Sequence, residues 1–256
     1  MNCNVPTDIV FSFSGFRQRG GRTGPHQDGW GIAFYEGKGA RLFHDVSPSV
    51  ESEIARLVQS YPIKSKNVIS HIRRRTHSRV CVENTHPFQR ELWGRTWVFA
   101  HNGYVRDIKR KPLTFYEPIG TTDSEHAFCY MLDTIRRRFR RPPRREALWG
   151  LIERLARELA QLGKFNFLMC DSRYLYAYCT TDLCWIQRRA PFTRAALVDA
   201  DLEVDFSEHT TPRDKVVVVA TQPLTRNETW TQCRPGELCV FGEGEPLLSA
   251  GGDGGG

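Results

Sequence analysis

The run Trp97-Val98-Phe99-Ala100-His101-Asn102-Gly103 decides how this chain is read. Trp97 to Ala100 is apolar and aromatic, the composition of a buried strand. The run ends on Asn-Gly, a pair that tolerates positive φ and marks hairpin turns. The same pair admits a second reading. A carboxamide beside a sterically open backbone N–H, held at the mouth of a core strand, is the donor set of an oxyanion hole. On these residues alone both readings stand.

Outward from that strand, the apolar spacing supplies the other elements. Ile9, Phe13 and Phe16 fall at helical spacing, and Pro6-Thr7-Asp8 reads as the helix start. Ser52 to Tyr61 is amphipathic. Thr122 or Asp123 caps a helix whose stripe is Ala127, Phe128, Met131, Leu132 and Ile135. A second helix runs from about Glu146 to Leu162. Strands are expected over Ile32–Tyr35, Arg41–Phe43 and Val68–Arg73, and then over Phe165–Cys170, Tyr174–Cys179, Cys184–Gln187, Leu202–Phe206, Lys215–Ala220 and Leu238–Phe241. This order predicts antiparallel sheets covered by helices, an α+β class rather than a doubly wound one. One domain is expected over residues 1–250, with Gly251–Gly256 as a disordered, low-complexity tail.

Composition narrows the function. A chain of 256 residues, 40% hydrophobic with 15 Phe and 6 Trp, is enough for one large core. It has no apolar run of signal-peptide or transmembrane character, so a cytoplasmic protein without membrane contact is expected. The cysteines show no C-x-x-C spacing, which leaves zinc unsupported, and no cofactor is implied. The formal charge of +7 is concentrated in Arg136–Arg145. A solvated helix end and loop fit that run better than a nucleic-acid surface, because no binding motif accompanies it.

Polar groups gather at element ends: Asp28-Gly29-Trp30-Gly31, His71-Ile72-Arg73, His101-Asn102-Gly103 and Thr122-Asp123-Ser124-Glu125. Singly they read as a turn, a core histidine with a surface arginine, a turn and a helix cap. Together they offer a fixed cation, a carboxylate and amide donors. A free amino acid needs the first two for its α-carboxylate and α-ammonium. A substrate amide needs the donors once its carbonyl oxygen turns anionic.

The chain resembles the class II glutamine amidotransferases, in the small stand-alone bacterial branch often called YafJ-like. The matching stretches are Asn4-Val-Pro-Thr-Asp-Ile9, Asp28-Gly-Trp-Gly31, His71-Ile-Arg73, Asn84-Thr-His-Pro-Phe88, Glu91-Leu-Trp-Gly-Arg95, Ala100-His-Asn-Gly103, Thr122-Asp-Ser-Glu125, Arg188-Arg-Ala-Pro-Phe192 and Ala220-Thr-Gln-Pro-Leu-Thr225. The resemblance implies an N-terminal-nucleophile fold, an αββα sandwich, and cleavage of glutamine to glutamate and ammonia. It implies that Arg73 and Asp123 bind the glutamine main-chain groups, with Gly29 beside them, and that Asn102 and Gly103 form the oxyanion hole.

The family begins Met-Cys, and loss of the methionine leaves a cysteine whose thiol is the nucleophile and whose α-amine is the base. This sequence begins Met1-Asn2-Cys3. Cys3 is rejected as a substitute. Asn2 is too large for ordinary methionine removal, so the Cys3 nitrogen stays an amide and cannot accept a proton. The first strand and the nucleophile are therefore expected to be missing from the sequence as given, through a late start codon or genuine loss of activity. A second departure is Arg74-Arg75-Thr76-His77-Ser78-Arg79, more basic than usual in this branch. Thr76 and His77 could touch substrate, or the segment could be a solvated loop.

The leading function is amide hydrolysis of the glutaminase or amidotransferase type, acting on glutamine or another γ-glutamyl amide. No synthetase is attached, so an ammonia-accepting partner protein is one expectation and simple hydrolysis the other. A non-enzymatic module that binds glutamine or glutamate is the alternative from a different class.

Overall fold

The structure is a computed structural model and describes residues 1–61, 63–75 and 78–249. The expected tail lies outside the described residues, as do Thr76 and His77. The chain opens with β1 (Asn2–Thr7) and α1 (Val10–Phe16). The hairpin β2 (Trp30–Glu36) and β3 (Gly39–Asp45), α2 (Glu53–Ser60) and β4 (Ser65–Ile72) follow. A second hairpin, β5 (Phe88–Leu92) and β6 (Arg95–Gly103), precedes α3 (Asp123–Arg138) and α4 (Arg145–Ala160). Next come β7 (Phe165–Cys170), β8 (Leu175–Tyr178), β9 (Cys184–Arg189), β10 (Arg194–Ala196) and β11 (Glu203–Asp205). β12 (Lys215–Ala220), β13 (Thr231–Gln232), β14 (Leu238–Gly242) and β15 (Glu245–Ser249) complete the described chain.

Two antiparallel sheets carry the fold. One has seven strands in the order β13-β9-β12-β1-β4-β2-β3, the other six in the order β15-β14-β8-β7-β6-β5. Between them lies a buried layer of mostly small and aliphatic side chains, among them Ala33, Ile69, Val98, Ala100, Ala177 and Val217. Small residues let the sheets approach, as face-to-face packing requires. The outer face of the six-stranded sheet carries Trp97, Phe99, Phe167 and Tyr178, which pack under α3 and α4. Phe13 of α1 and Ala55 and Val58 of α2 cover Trp30, Ile32, Phe34 and Val68 of the seven-stranded sheet. Each sheet thus buries both faces, and the layers run helix, sheet, sheet, helix, the αββα arrangement expected.

Alternation explains why these strands sort their residues so cleanly. In β6, Val98 and Ala100 face the inter-sheet layer while Trp97 and Phe99 face the helices. The caps are local. Ser52 Oγ accepts the Ala55 N–H at 3.2 Å and Thr122 Oγ1 the Glu125 N–H at 3.1 Å.

Two expectations are corrected at the N-terminus. Pro6-Thr7-Asp8 does not open the helix: β1 runs through Thr7 and α1 starts at Val10. Part of the first strand expected to be missing is present. Asn2 and Cys3 pair with Val217 and Val216 of β12, and Asn2 pairs with Asn67 of β4, in the middle of the larger sheet. Long-range pairing on both sides outweighs the poor strand propensity of two asparagines and a proline. Two arginines of the run make local contacts. Arg136 lies 4.5 Å over the Phe115 ring, and Arg145 lies 5.5 Å over Trp149 while bonding Glu146 at 2.7 Å.

Candidate active site

The site begins where β6 outruns its neighbour. Asn102 lies opposite Asn166 of β7 and Gly103 opposite Phe165, so the pair is strand and not the hairpin turn. Tyr104 N–H donates to Lys164 O at 2.9 Å. Backbone groups alternate in direction along an antiparallel strand, which turns the Gly103 N–H to the opposite edge. β5 covers that edge only as far as Phe99, paired with Phe88. Two residues further along it, the Val105 N–H donates to Asp123 Oδ2 at 2.7 Å. A side chain at position 103 is excluded: its Cβ would lie 1.9 Å from Lys164 O. Only glycine allows the backbones to come this close.

His101 joins the two elements that flank this edge. Its Nε2 lies 3.0 Å from Lys164 O, a carbonyl that can only accept, so Nε2 carries the proton. Its Nδ1 then accepts from Ser124 Oγ at 2.8 Å, at the start of α3. Burial holds the ring below the ordinary histidine range, against the opposing pull of Asp123, and keeps it neutral. His71 is pushed down to about 3, chiefly by burial.

Arg73 sits at the end of β4, fixed by the Asp28-Gly29 turn. Its N–H donates to Gly29 O at 2.8 Å and its carbonyl accepts from Asp28 N at 3.1 Å. Gly29 has φ +103, and a Cβ there would meet Asp45 O at 2.8 Å. The guanidinium is buried, with Nη2 donating to Ser78 Oγ at 2.7 Å and to Arg79 O at 3.1 Å. Arg79 O also accepts from Asn84 Nδ2 at 3.0 Å, while Asn84 Oδ1 accepts from Thr121 N at 2.7 Å. A hydrogen-bonded chain therefore runs from Arg73 to the residue before the cap of α3, beside Asp123. Among the described residues Arg73 Nη1 has no partner and is buried.

A cavity of about 170 Å³ reaches Asn102 from the other side. Its walls include Ser70 and His71 of β4, Val219 of β12, Phe13 of α1 and Asn166 of β7. Of the expected site residues that are described, Asn102 lines it, and Arg73, Asp123, Gly29 and Gly103 do not. No cysteine is among its described lining residues. Cys3 Sγ lies 3.8 Å from Ser65 O, and burial pushes its thiol up to about 11. It packs with Ile186, Val216 and Leu224, on the far side of the sheet from Asn102.

The family profile of the class II glutamine amidotransferases matches residues 1–253. The chain belongs to that family. It is 56% identical over 249 residues to the Escherichia coli (strain K12) protein YafJ, covering 97% of this chain and 98% of that one. The crystal structure of a "predicted glutamine amidotransferase" from Pseudomonas aeruginosa PA01 superposes with a TM-score of 0.78 at 48% identity, over 96% of this chain and 97% of the other. A glutamine phosphoribosylpyrophosphate amidotransferase from B. subtilis shares the fold alone, with a TM-score of 0.56 at 15% identity over 94% of this chain and 45% of that one. Among the described residues no helix is long and apolar enough to cross a membrane.

Three residues that hydrogen-bond around these groups escaped the sequence reading. Asn84 bridges Arg79 to Thr121. Ser124 orients His101. Glu125 is buried and accepts from Ile119 N at 3.0 Å, Gly120 N at 2.7 Å and Arg90 Nη2 at 2.6 Å, fixing the approach to α3. All three lie in the motifs quoted above, and the Thr122-x-x-Glu125 spacing resembles a capping box. The signal concealed that the Glu125 side chain turns to the preceding loop instead.

Proposed function

We propose that this site hydrolyses the side-chain amide of glutamine to glutamate and ammonia when a thiol nucleophile is supplied in the cavity beside Asn102. The observation that carries the reading is the free edge of β6, where Asn102 and Gly103 stand together and Asp123 takes the next N–H. Arg73 binds the α-carboxylate, and Asp123 binds the α-ammonium through its remaining oxygen. The amide carbonyl then points to Asn102 Nδ2 and Gly103 N.

The chemistry follows from those roles. A thiol passes its proton to its own α-amine, a carbon–sulfur bond forms, and the carbonyl oxygen becomes anionic between the two donors. Collapse breaks the carbon–nitrogen bond, the ammonium returns the proton, and ammonia leaves. Water cleaves the γ-glutamyl thioester to glutamate and the free thiol. Gly29 and Asn84 act through Arg73, and Ser124 through His101. Thr76 and His77 remain proposed contacts of the substrate. An acceptor protein for the ammonia belongs to the same proposal.

Residues 1–256 by themselves are then a binding form. Calorimetry on this polypeptide is expected to give weak glutamate binding that Arg73→Ala weakens tenfold or more, since a charge-assisted hydrogen bond contributes about 1.5–3 kcal/mol. Ammonia release by the same sample is expected to be absent. Unchanged affinity in Arg73→Ala would remove Arg73 from the site. Turnover abolished by Cys3→Ala would make Cys3 the nucleophile.

A further inference from the structure

The stretch Cys233-Arg-Pro-Gly-Glu-Leu-Cys239 leads from β13 into β14 through a tight turn. Pro235 and Gly236 sit at its centre, Gly236 at φ +83, and the Glu237 N–H donates back to Arg234 O at 3.0 Å. Proline followed by a left-handed glycine is the sequence of a type II turn. The turn is fastened to the chain just after β8. Gly236 N–H donates to Cys179 O at 2.8 Å, Cys179 N–H to Glu237 O at 3.1 Å, and Cys233 N–H to Leu183 O at 2.8 Å.

This fold of the backbone collects three side chains of ligand type. Cys233 Sγ and Cys239 Sγ lie 3.8 Å apart, and a carboxylate oxygen of Glu237 lies within 4.8 Å of both. Both thiols are buried, and Glu237 is 9% exposed. We propose that Cys233, Cys239 and Glu237 bind a zinc ion, with water in the fourth position.

The spacing suits that ion. Zinc–sulfur bonds are about 2.3 Å, so two sulfurs on one tetrahedral zinc stand roughly 3.8 Å apart. A disulfide needs about 2.05 Å. Two thiols merely in contact would also stand this far apart, so the carboxylate decides between the readings. Packing of thiols calls for no charged neighbour, and a largely buried carboxylate is costly unless something compensates it. A divalent cation held by all three groups does so, and zinc accepts thiolate and carboxylate together. The carboxylate is also oriented: Glu237 Oε2 accepts the Arg234 N–H at 2.6 Å. Outer hydrogen bonds of this kind aim ligating carboxylates. Arg234 and Pro235 are exposed, which puts solvent beside the turn. In sequence the two cysteines are six positions apart, outside the C-x-x-C spacing, and the turn is what unites them. None of the three residues lines the cavity beside Asn102, so the inference stands apart from the proposed amide chemistry.

The test titrates metal-free protein of residues 1–256 with Co²⁺ under a phosphine reductant, then displaces the Co²⁺ with Zn²⁺. The parent is expected to show sulfur-to-cobalt charge-transfer absorption and the strong visible bands of a tetrahedral site, with a single ion per chain. Zinc is expected to abolish both and to raise Tm. Cys233→Ser and Cys239→Ser are each expected to weaken the charge-transfer absorption sharply, while Cys81→Ser keeps it in full. Glu237→Gln retains both thiols and serves if the cysteine variants do not fold. Its zinc affinity is expected to fall by at least the ~10–100-fold that loss of an outer partner alone causes. No charge-transfer absorption in the parent would overturn the site. So would undiminished absorption in both folded cysteine variants, or unchanged zinc affinity in Glu237→Gln.

Discussion

Asp123 Oδ2 accepts the backbone N–H of Val105 at 2.7 Å, which ties the first turn of α3 to the strand edge that carries Gly103. The carboxylate holds the backbone with this oxygen, and in the proposed function its other oxygen takes the ligand ammonium. Asp123→Asn separates the two roles. An asparagine carbonyl can keep the Val105 bond while the charge is lost, so Tm is expected to change little while glutamate affinity falls tenfold or more. Calorimetry paired with thermal unfolding reads both. Equal affinity for the variant and the parent would show that Asp123 serves the fold alone.

Gly103→Ala is expected to be costly to stability wherever the chemistry stands. Its Cβ would lie 1.9 Å from Lys164 O, a backbone atom that cannot swing aside. Forcing β6 from β7 should cost about 1–3 kcal/mol, the range for overpacking. Denaturant unfolding measures it. An unchanged midpoint would mean that the strands are not this close at Gly103.

The N-terminal edge of this site was legible in part. The apolar run Trp97–Ala100 announced its strand, and the polar motifs at element ends supplied the residues the proposed function uses. Asn102-Gly103 could not be resolved from sequence, because the residues that suit a tight turn also suit an exposed edge. What settles them as strand is Asn166, far along the chain. β1 was hidden for a related reason: Asn2 is satisfied by Asn67 and Gly244, partners no local pattern reveals. β13 and β10, of two and three residues, exist only through their neighbours.

Buried histidines give the fold a pH dependence of stated sign. His71 is held at about 3, and His86 and His101 are also depressed, each chiefly by burial. In the unfolded chain they titrate near pH 6.5. Between those values the unfolded state binds protons the folded state refuses, so stability is complete above about pH 6.5 and falls as pH drops toward 3. His71 removes up to about 1.4 kcal/mol per pH unit in that window, and His86 and His101 act in the same direction. Urea unfolding at pH 7.5 and 5.5 is expected to show the loss, and His71→Gln to make it smaller. The same loss in His71→Gln would mean that His71 titrates alike in both states.

The central claim is that Asn102 and Gly103 meet an oxyanion. Steady-state glutamine hydrolysis by the protein extended so that it begins with cysteine after methionine removal, and by the Asn102→Ala variant of that protein, tests it most directly, with the folded fraction of each fixed by thermal unfolding. Removing one such donor typically costs ~10²–10³ in kcat. Because the negative charge exists only in the transition state, KM is expected to change little. A kcat reduced on that scale, at near-normal KM in fully folded protein, is the predicted result. An unreduced kcat in fully folded Asn102→Ala would contradict it and leave Asn102 as a strand residue with no part in the chemistry.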